Sequence, residues 1–229
     1  MLVALTRERG QNEELRDWVG GRAEVVEIPL TSTAFRDAGE VEAEIRASRD
    51  VGAFRTLVAT SARVERYLPL AARALGPDPV VASVGPATTR VLERAGLRVT
   101  HESLGGALDL IASVNEGPVL ILAATGGREE LTAALRARGV ACAVVECYAT
   151  RGVALGEAER AALGRADVVF IGAPSAWRVA REAVRSDAWV LVPGATTLAA
   201  VRAGHERCVV GWGPAFAGAW ERITAAPED

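Results

Sequence analysis

Five stretches of this chain put small or hydroxyl-bearing residues where a β-strand would hand over to a helix: Thr60-Ser61, Gly85-Pro86-Ala87-Thr88-Thr89, Thr125-Gly126-Gly127-Arg128, Ala173-Pro174-Ser175 and Gly194-Ala195-Thr196-Thr197. In a parallel sheet such turns gather at the carboxyl edge of the strands, where open α/β sheets bind ligands. Each directs backbone N–H groups out of the positive end of a helix, an arrangement that holds carboxylates or phosphates. Ser and Thr are also among the preferred N-caps, so at any single turn capping accounts for the residue without a ligand.

Other chemistries lack their residues. No G-x-x-x-x-G-K-[ST] or G-x-G-x-x-G pattern follows a strand candidate, which leaves nucleotide chemistry without a fingerprint. No acidic residue closes the strands ending near Thr60, Gly85 or Thr125, which argues against a phosphoacceptor domain. No histidine stands beside a nucleophile and no G-x-S-x-G elbow occurs, so a hydrolytic triad is not expected. Cys142, Cys147 and Cys208 are odd in number and lack C-x-x-C spacing, while His101 and His205 stand far apart, so neither a disulfide framework nor a metal site is expected. The cysteines read as small buried residues and both histidines as surface or loop residues. If the chain is an enzyme, this pattern makes it one that works mainly by binding and orientation.

The elements that must position these turns come as a repeat. Leu5–Leu30 reads like Leu122–Tyr148: an apolar strand, a loop, an amphipathic helix ending at glycine, and a second strand, together a unit A. LVATSARVERY from Leu57 is echoed by VFIGAPSAWRVA from Val169 (unit B), and SVGPATTRVLERAG from Ser83 by LVPGATTLAAVRAG from Leu191 (unit C). Thr88 and Gly96 match Thr196 and Gly204 at one offset, since 196 − 88 and 204 − 96 both give 108. The order A-B-C-A-B-C implies two similar lobes of roughly 110 residues, near the usual domain size, with a cleft between them.

Strand candidates are short Val/Ile/Leu-rich runs without polar alternation, ten in all from Leu2–Leu5 to Cys208–Gly211, separated by helical patterns such as Ala62–Ala74, Glu129–Arg138 and Ala176–Val184. The fold class expected is α/β: two doubly wound, flavodoxin-like lobes of five parallel strands each. Gly96, Gly139 and Gly204 read as left-handed caps closing helices. Linker-like stretches near 31–38 and 148–153 each follow an A unit. They favour a swapped assembly in which residues 1–32 join 152–229 and residues 37–147 form an inserted lobe.

Half of the 229 residues are hydrophobic and 5% aromatic, as in Ala-rich helices packed on Val-rich strands. The formal charge of −3 and the lack of a basic run argue against nucleic acid as a partner. The start MLVALTRERG has no signal-peptide pattern and no apolar stretch is long enough to span a membrane, so a cytoplasmic protein without a membrane partner is expected.

Across nearly its whole length the chain resembles the uroporphyrinogen-III synthase family. The residues that carry the resemblance are Leu5-Thr6-Arg7, Glu27-Ile28-Pro29-Leu30, Thr60-Ser61, Ser83-Val84-Gly85 with Thr88 and Gly96, the helix from Arg128 to Gly139, and Val145-Glu146-Cys147-Tyr148. The resemblance implies two α/β lobes joined by a two-stranded linker and a reaction without cofactor. In that reaction hydroxymethylbilane, a linear tetrapyrrole with eight carboxylates, is closed to uroporphyrinogen III with inversion of ring D and loss of water. It also implies a catalytic role for Tyr148, whose phenol could hydrogen-bond the departing hydroxyl. The alternative is a tyrosine at a strand end with its hydroxyl capped by backbone. Substrate contacts are expected from Thr6, Arg7, Thr60, Ser61, Ser83, Gly85, Thr88, Gly126, Arg128, Ser175, Gly194, Thr196 and Thr197, in a monomer. Arg7 and Arg128 stand in equivalent loops and suit bidentate carboxylate binding, or are solvated loop charges.

The chain departs from the family pattern in its second half. Gly172-Ala173 replaces the Thr-Ser of many members, and Val192-Pro193-Gly194 the usual Ile-Gly start. A non-catalytic tetrapyrrole- or anion-binding module of the same fold is therefore the competing class; a two-lobed periplasmic-type binding protein is disfavoured by the missing signal peptide.

Overall fold

Apolar runs buried on both faces form parallel strands only where helices cover each side of the sheet. The computed structural model of the chain shows this twice. It describes residues 1–103, 107–127 and 129–225, with backbone alone at 50, 51, 107 and 108. The strands are β1 (Leu2–Leu5), β2 (Glu24–Glu27), β3 (Thr31–Phe35), β4 (Phe54–Ala59), β5 (Leu75–Val84), β6 (His101–Ser103), β7 (Val119–Ala124), β8 (Cys142–Gly152), β9 (Val168–Phe170), β10 (Trp189–Val192) and β11 (Cys208–Val210). The helices are α1 (Glu13–Val19), α2 (Ala38–Ala47), α3 (Leu68–Ala72), α4 (Pro86–Arg94), α5 (Glu129–Ala137), α6 (Glu157–Leu163), α7 (Pro174–Ala180), α8 (Ala195–Arg202) and α9 (Phe216–Thr224).

One sheet has the order β11-β10-β9-β1-β2 and the other β3-β8-β7-β4-β5-β6. The first is parallel throughout, as are the strands from β8 to β6 of the second. Contacts divide the chain into two compact units, Met1–Thr33 with Arg151–Asp229, and Ala34–Thr150. Read from β11 to β2 and from β6 to β8 the two sheets have one topology: β9 corresponds to β4, β10 to β5, β1 to β7 and β2 to β8.

Alternation along each strand feeds two apolar layers. In the first sheet Ala4, Val169, Ile171, Val190 and Val192 pack towards Leu163, Trp177, Ala180 and Val201 of α6 to α8. Val3, Leu5, Val168, Phe170 and Leu191 face Leu15 and Val19 of α1 and Trp220 and Ile223 of α9. In the second, Leu57, Ala59, Leu120, Leu122 and Val145 meet Val41, Leu68 and Leu92, and Val58, Ile121 and Ala123 meet Leu131 and Leu135.

Several expectations change. The second sheet has six strands rather than five, because β3, read as linker from its polar residues, hydrogen-bonds along the extended β8. The helix expected over 62–74 is a 3₁₀ segment, Ala62–Tyr67, followed by the short α3. Pro69 has no N–H to continue the ladder, so the helix starts afresh at Leu68. Gly96 and Gly139 have φ of 79° and 73°, as left-handed caps require, but Gly204 does not adopt positive φ; its N–H bonds Val201 O in a tight right-handed turn. His205 is buried rather than exposed, with Nε2 2.8 Å from Ala188 O and its ring edge-on to Trp177. Cys147 and Cys208 are buried, but Cys142 is half-exposed at the start of β8.

Candidate functional site

Strand β8 carries a β-bulge. Ala123 pairs with Glu146 but Ala124 with Tyr148, so Cys147 is the extra residue. A bulge reverses the alternation beyond it and re-aims the following side chain. Strict alternation would place Tyr148 opposite Cys147 and Val145; instead all three belong to one buried cluster. Arg36 pins this irregularity: its backbone N–H donates to Cys147 O at 3.0 Å and its Nη1 to Glu146 O at 2.8 Å. Glu44 holds the guanidinium at 2.5 Å and keeps it strongly basic.

The two tyrosines of the chain then differ in what their hydroxyls do. Tyr67 is fully buried and donates to Arg36 O at 2.7 Å, and burial raises its phenol above the ordinary range. Tyr148 is 5% exposed; its hydroxyl makes no hydrogen bond among the described residues and is not among the buried polar atoms without a partner. Its ring lies 6.3 Å from that of Phe35, and the Arg63 guanidinium stands 5.9 Å from its centroid. Backbone capping, the alternative weighed for Tyr148, describes Tyr67 instead. The adjacent Cys147 thiol is pushed up to about 12 by burial, which keeps it protonated.

Around Tyr148 the carboxyl edge of the second sheet runs from β8 through the turns after β7, β4 and β5. Thr125 N–H donates to Tyr148 O at 2.7 Å. Gly126, with φ of 64°, has its N–H on the Glu146 carboxylate at 2.9 Å. Thr60 donates its hydroxyl to Leu122 O, and Ser61 caps the 3₁₀ segment by accepting from Arg63 N–H at 3.3 Å. Ser83 and Thr89 share a hydroxyl contact of 2.6 Å that continues to Glu102, and Thr88 donates to Val84 O at 2.9 Å. Gly85, with φ of 82°, opens α4 with no side-chain cap. Arg128 lies outside the described residues.

In the first sheet Thr6 is buried and its hydroxyl donates to Phe170 O, so it ties β1 to β9. Arg7 follows, its Cζ 4.9 Å from the centroid of the Trp212 ring. Ala173 and Gly194 open α7 and α8 without side-chain caps. Ser175 is half-buried in the first turn of α7; in that of α8, Thr196 is exposed and Thr197 buried. Capping thus accounts for Ser61, while Gly85, Ala173 and Gly194 leave helix-opening amides that no described side chain caps. Grooves of about 820 Å³ beside Val153, Arg160 and Val179 and about 620 Å³ beside Trp177, Arg181 and His205 run along the helices of this unit, so volume alone does not select the strand ends.

Sequence reasoning gave no role of their own to Arg36, Arg63, Tyr67, Glu146 and Trp212. The only local signal was the extra residue that aligning Leu5–Leu30 with Leu122–Tyr148 requires, since the second segment is one residue longer. No group of three or more His, Cys, Asp or Glu among the described residues could hold a metal ion, and no helix there is long and apolar enough to cross a membrane.

The family model described as uroporphyrinogen-III synthase HemD matches residues 20–212. Among solved structures, a mutant uroporphyrinogen III synthase of the extremely thermophilic bacterium Thermus thermophilus has a TM-score of 0.65 at 16% identity, with 98% of each chain covered. The uroporphyrinogen-III synthetase of Helicobacter pylori gives 0.63 at 14% identity, again with 98% of each chain. The wild-type Thermus protein in a second crystal form gives 0.51 at 18%, covering 97% of this chain and 93% of that one. At such identities the likeness is one of fold. Comparison with the curated proteins gives no match.

Proposed function

The chain belongs to the uroporphyrinogen-III synthase family, and from that premise we propose that Tyr148 assists the loss of water that begins ring closure of hydroxymethylbilane. The family reaction, a step of tetrapyrrole biosynthesis, converts this linear tetrapyrrole to uroporphyrinogen III with ring D inverted. The C–O bond of the ring A hydroxymethyl group breaks as the pyrrole nitrogen supplies electrons, and the departing hydroxyl takes a proton from the Tyr148 phenol to leave as water; the proton released at the end of the sequence restores the phenol. The azafulvene so formed is attacked by the substituted carbon of ring D. The spiro intermediate fragments and recombines, and loss of a proton leaves one water as the net change. On this reading the enzyme is a cyclising hydro-lyase that needs no cofactor.

The observation that carries the proposal is Tyr148 itself: its ring is packed at a strand end, while its hydroxyl has no hydrogen bond to a described residue and is not among the buried polar atoms left without a partner. A hydroxyl so placed can take its partner from a ligand, and the leaving oxygen of the substrate would be that partner. Hydroxymethylbilane closes unaided to the non-inverted isomer, so the main task is orientation, which can be worth roughly 7–11 kcal/mol. Uncapped amides at Gly85, Ala173 and Gly194, with Arg7, Arg128, Ser175 and Thr196, suit the substrate's carboxylates. Thr6, Thr60 and Thr88 spend their hydroxyls on backbone carbonyls, each at its own strand end. We take residues 1–32 with 152–229 and residues 37–147 as the two lobes of a monomeric enzyme.

The test is a coupled assay with hydroxymethylbilane generated in situ, followed by oxidation and separation of the uroporphyrin isomers. Predominantly type III product supports the reading. Type I alone, at the spontaneous rate, overturns it and leaves a binding module.

A further inference from the structure

Arg7 follows β1 and Trp212 follows β11, and in the sheet β9 and β10 stand between these strands. At about 4.8 Å per strand the two backbones are roughly 14 Å apart. Their side chains nevertheless meet, with the Arg7 Cζ 4.9 Å from the indole centroid. The pair therefore lies across the ends of the two intervening strands. There the second B unit has Gly172 where the first has Thr60. Gly172 is not among the positive-φ glycines, so its backbone does not demand glycine. A Cβ there would already stand 3.7 Å from Arg7 Cγ and 3.7 Å from Phe170 Cε1, so a longer side chain would compete with Arg7 for this space.

The platform is held from several sides. Trp18 meets Trp212 edge-on at 5.0 Å and Phe170 packs at 5.7 Å. Asn12 Nδ2 donates to the Arg7 carbonyl at 3.3 Å. A guanidinium held over an aromatic face is fixed in position, and its planar array of N–H donors suits a carboxylate.

We propose that Trp212 is a positioning residue: it holds the Arg7 guanidinium over the end of β9, in the space Gly172 leaves, so that Arg7 grips a carboxylate of the substrate. The chain thereby replaces, with a stacked cation, the hydroxyl its first B unit carries at that strand end. The inference rests on the polycarboxylate reading of the site.

Steady-state formation of type III product is compared for wild type, Trp212→Leu, Trp212→Phe, Arg7→Ala and the Trp212→Leu/Arg7→Ala double variant. A cation–π contact at an exposed site corresponds to about a two- to fivefold change. Trp212→Leu should raise KM by that factor with kcat within about twofold, Trp212→Phe should restore most of it, and in the Arg7→Ala background the Leu change should add nothing. An unmoved KM, a loss confined to kcat, or the same loss with and without Arg7 overturns the proposal. Should Trp212→Leu not fold, Gly172→Thr probes the same contact: KM must rise in the presence of Arg7 only. If wild type yields type I product alone, the reaction reading has failed. Calorimetric titration with uroporphyrin III then decides the anion site separately, equal affinity in wild type and Trp212→Leu (or Gly172→Thr) overturning it.

Discussion

Exchanging each tyrosine for phenylalanine removes one hydroxyl from a chain that has two of these residues. The consequences should be opposite. Tyr67 donates to Arg36 O from a fully buried position, so Tyr67→Phe strands a carbonyl and costs about 1–3 kcal/mol. For a chain of this length each kcal/mol is about 2–4 °C in Tm, so melting should fall by several degrees while the proportion of type III product stays near wild type. Tyr148→Phe gives up no described hydrogen bond, so Tm should move by no more than a surface substitution does, about 0.5 kcal/mol. Its rate of type III formation should drop on the order of 100-fold, the lower end for general acid catalysis, because the substrate can lose its hydroxyl unaided. Isomer chromatography and a thermal melt on the same two preparations decide the matter. Wild-type turnover by Tyr148→Phe, or a melting loss equal to that of Tyr67→Phe, would show that the phenol serves the fold.

Gly139→Ala forces a side chain into φ of 73° and should cost about 1–2 kcal/mol in urea unfolding, whereas Gly204→Ala, at a right-handed turn, should stay within about 0.5 kcal/mol. A thiol reagent at pH 8 should modify the half-exposed Cys142 readily and reach buried Cys147 and Cys208 only after unfolding. Burial raises the Cys147 thiol from 9.0 to about 12 and Cys208 from 9.0 to about 11. The unfolded chain therefore releases these protons first, and stability complete below pH 9 should fall above it by about 1.4 kcal/mol per pH unit per thiol; Cys147→Ala should remove one thiol's share of that slope. Asp37 caps α2 through Gly39 N–H at 2.8 Å and Glu40 N–H at 3.2 Å, so Asp37→Ala should cost about 1 kcal/mol by thermal melt.

Strands were legible wherever burial on both faces wrote a continuous apolar run. Leu2–Leu5 and Trp189–Val192 were found to the residue. β3 was not, because TSTAF is polar and half-exposed and becomes a strand only through its partner β8. Gly204 and His205 show the limit of reasoning by repeat: the R-A-G ending is shared with Gly96, but the chain beyond it turns inward to put the imidazole on Ala188 O. At the site, residue types at the turns could be read but their partners could not. Ser61 accepts from Arg63 N–H as a cap whereas Thr88 donates back to Val84 O, and nothing in a lone Ser or Thr tells the two apart. The bulge at Cys147 was invisible as such, since one added residue in an apolar run has no distinctive composition.

The pairing of β1 with β9 also has a meaning in time. Leu2 N–H is held by Asp167, 165 residues further along the chain, and every strand beside β1 except β2 lies beyond that point. On a ribosome adding about 5–20 residues per second, β1 and β2 wait on the order of 10–30 s for their neighbours, while the six-stranded sheet has all of its strands once Gly152 is made. A later-made segment is therefore what completes the sheet that β1 and β2 begin. For that interval the apolar strand β1 has only the half-exposed β2 beside it, which marks this pair as a segment in need of shelter during synthesis.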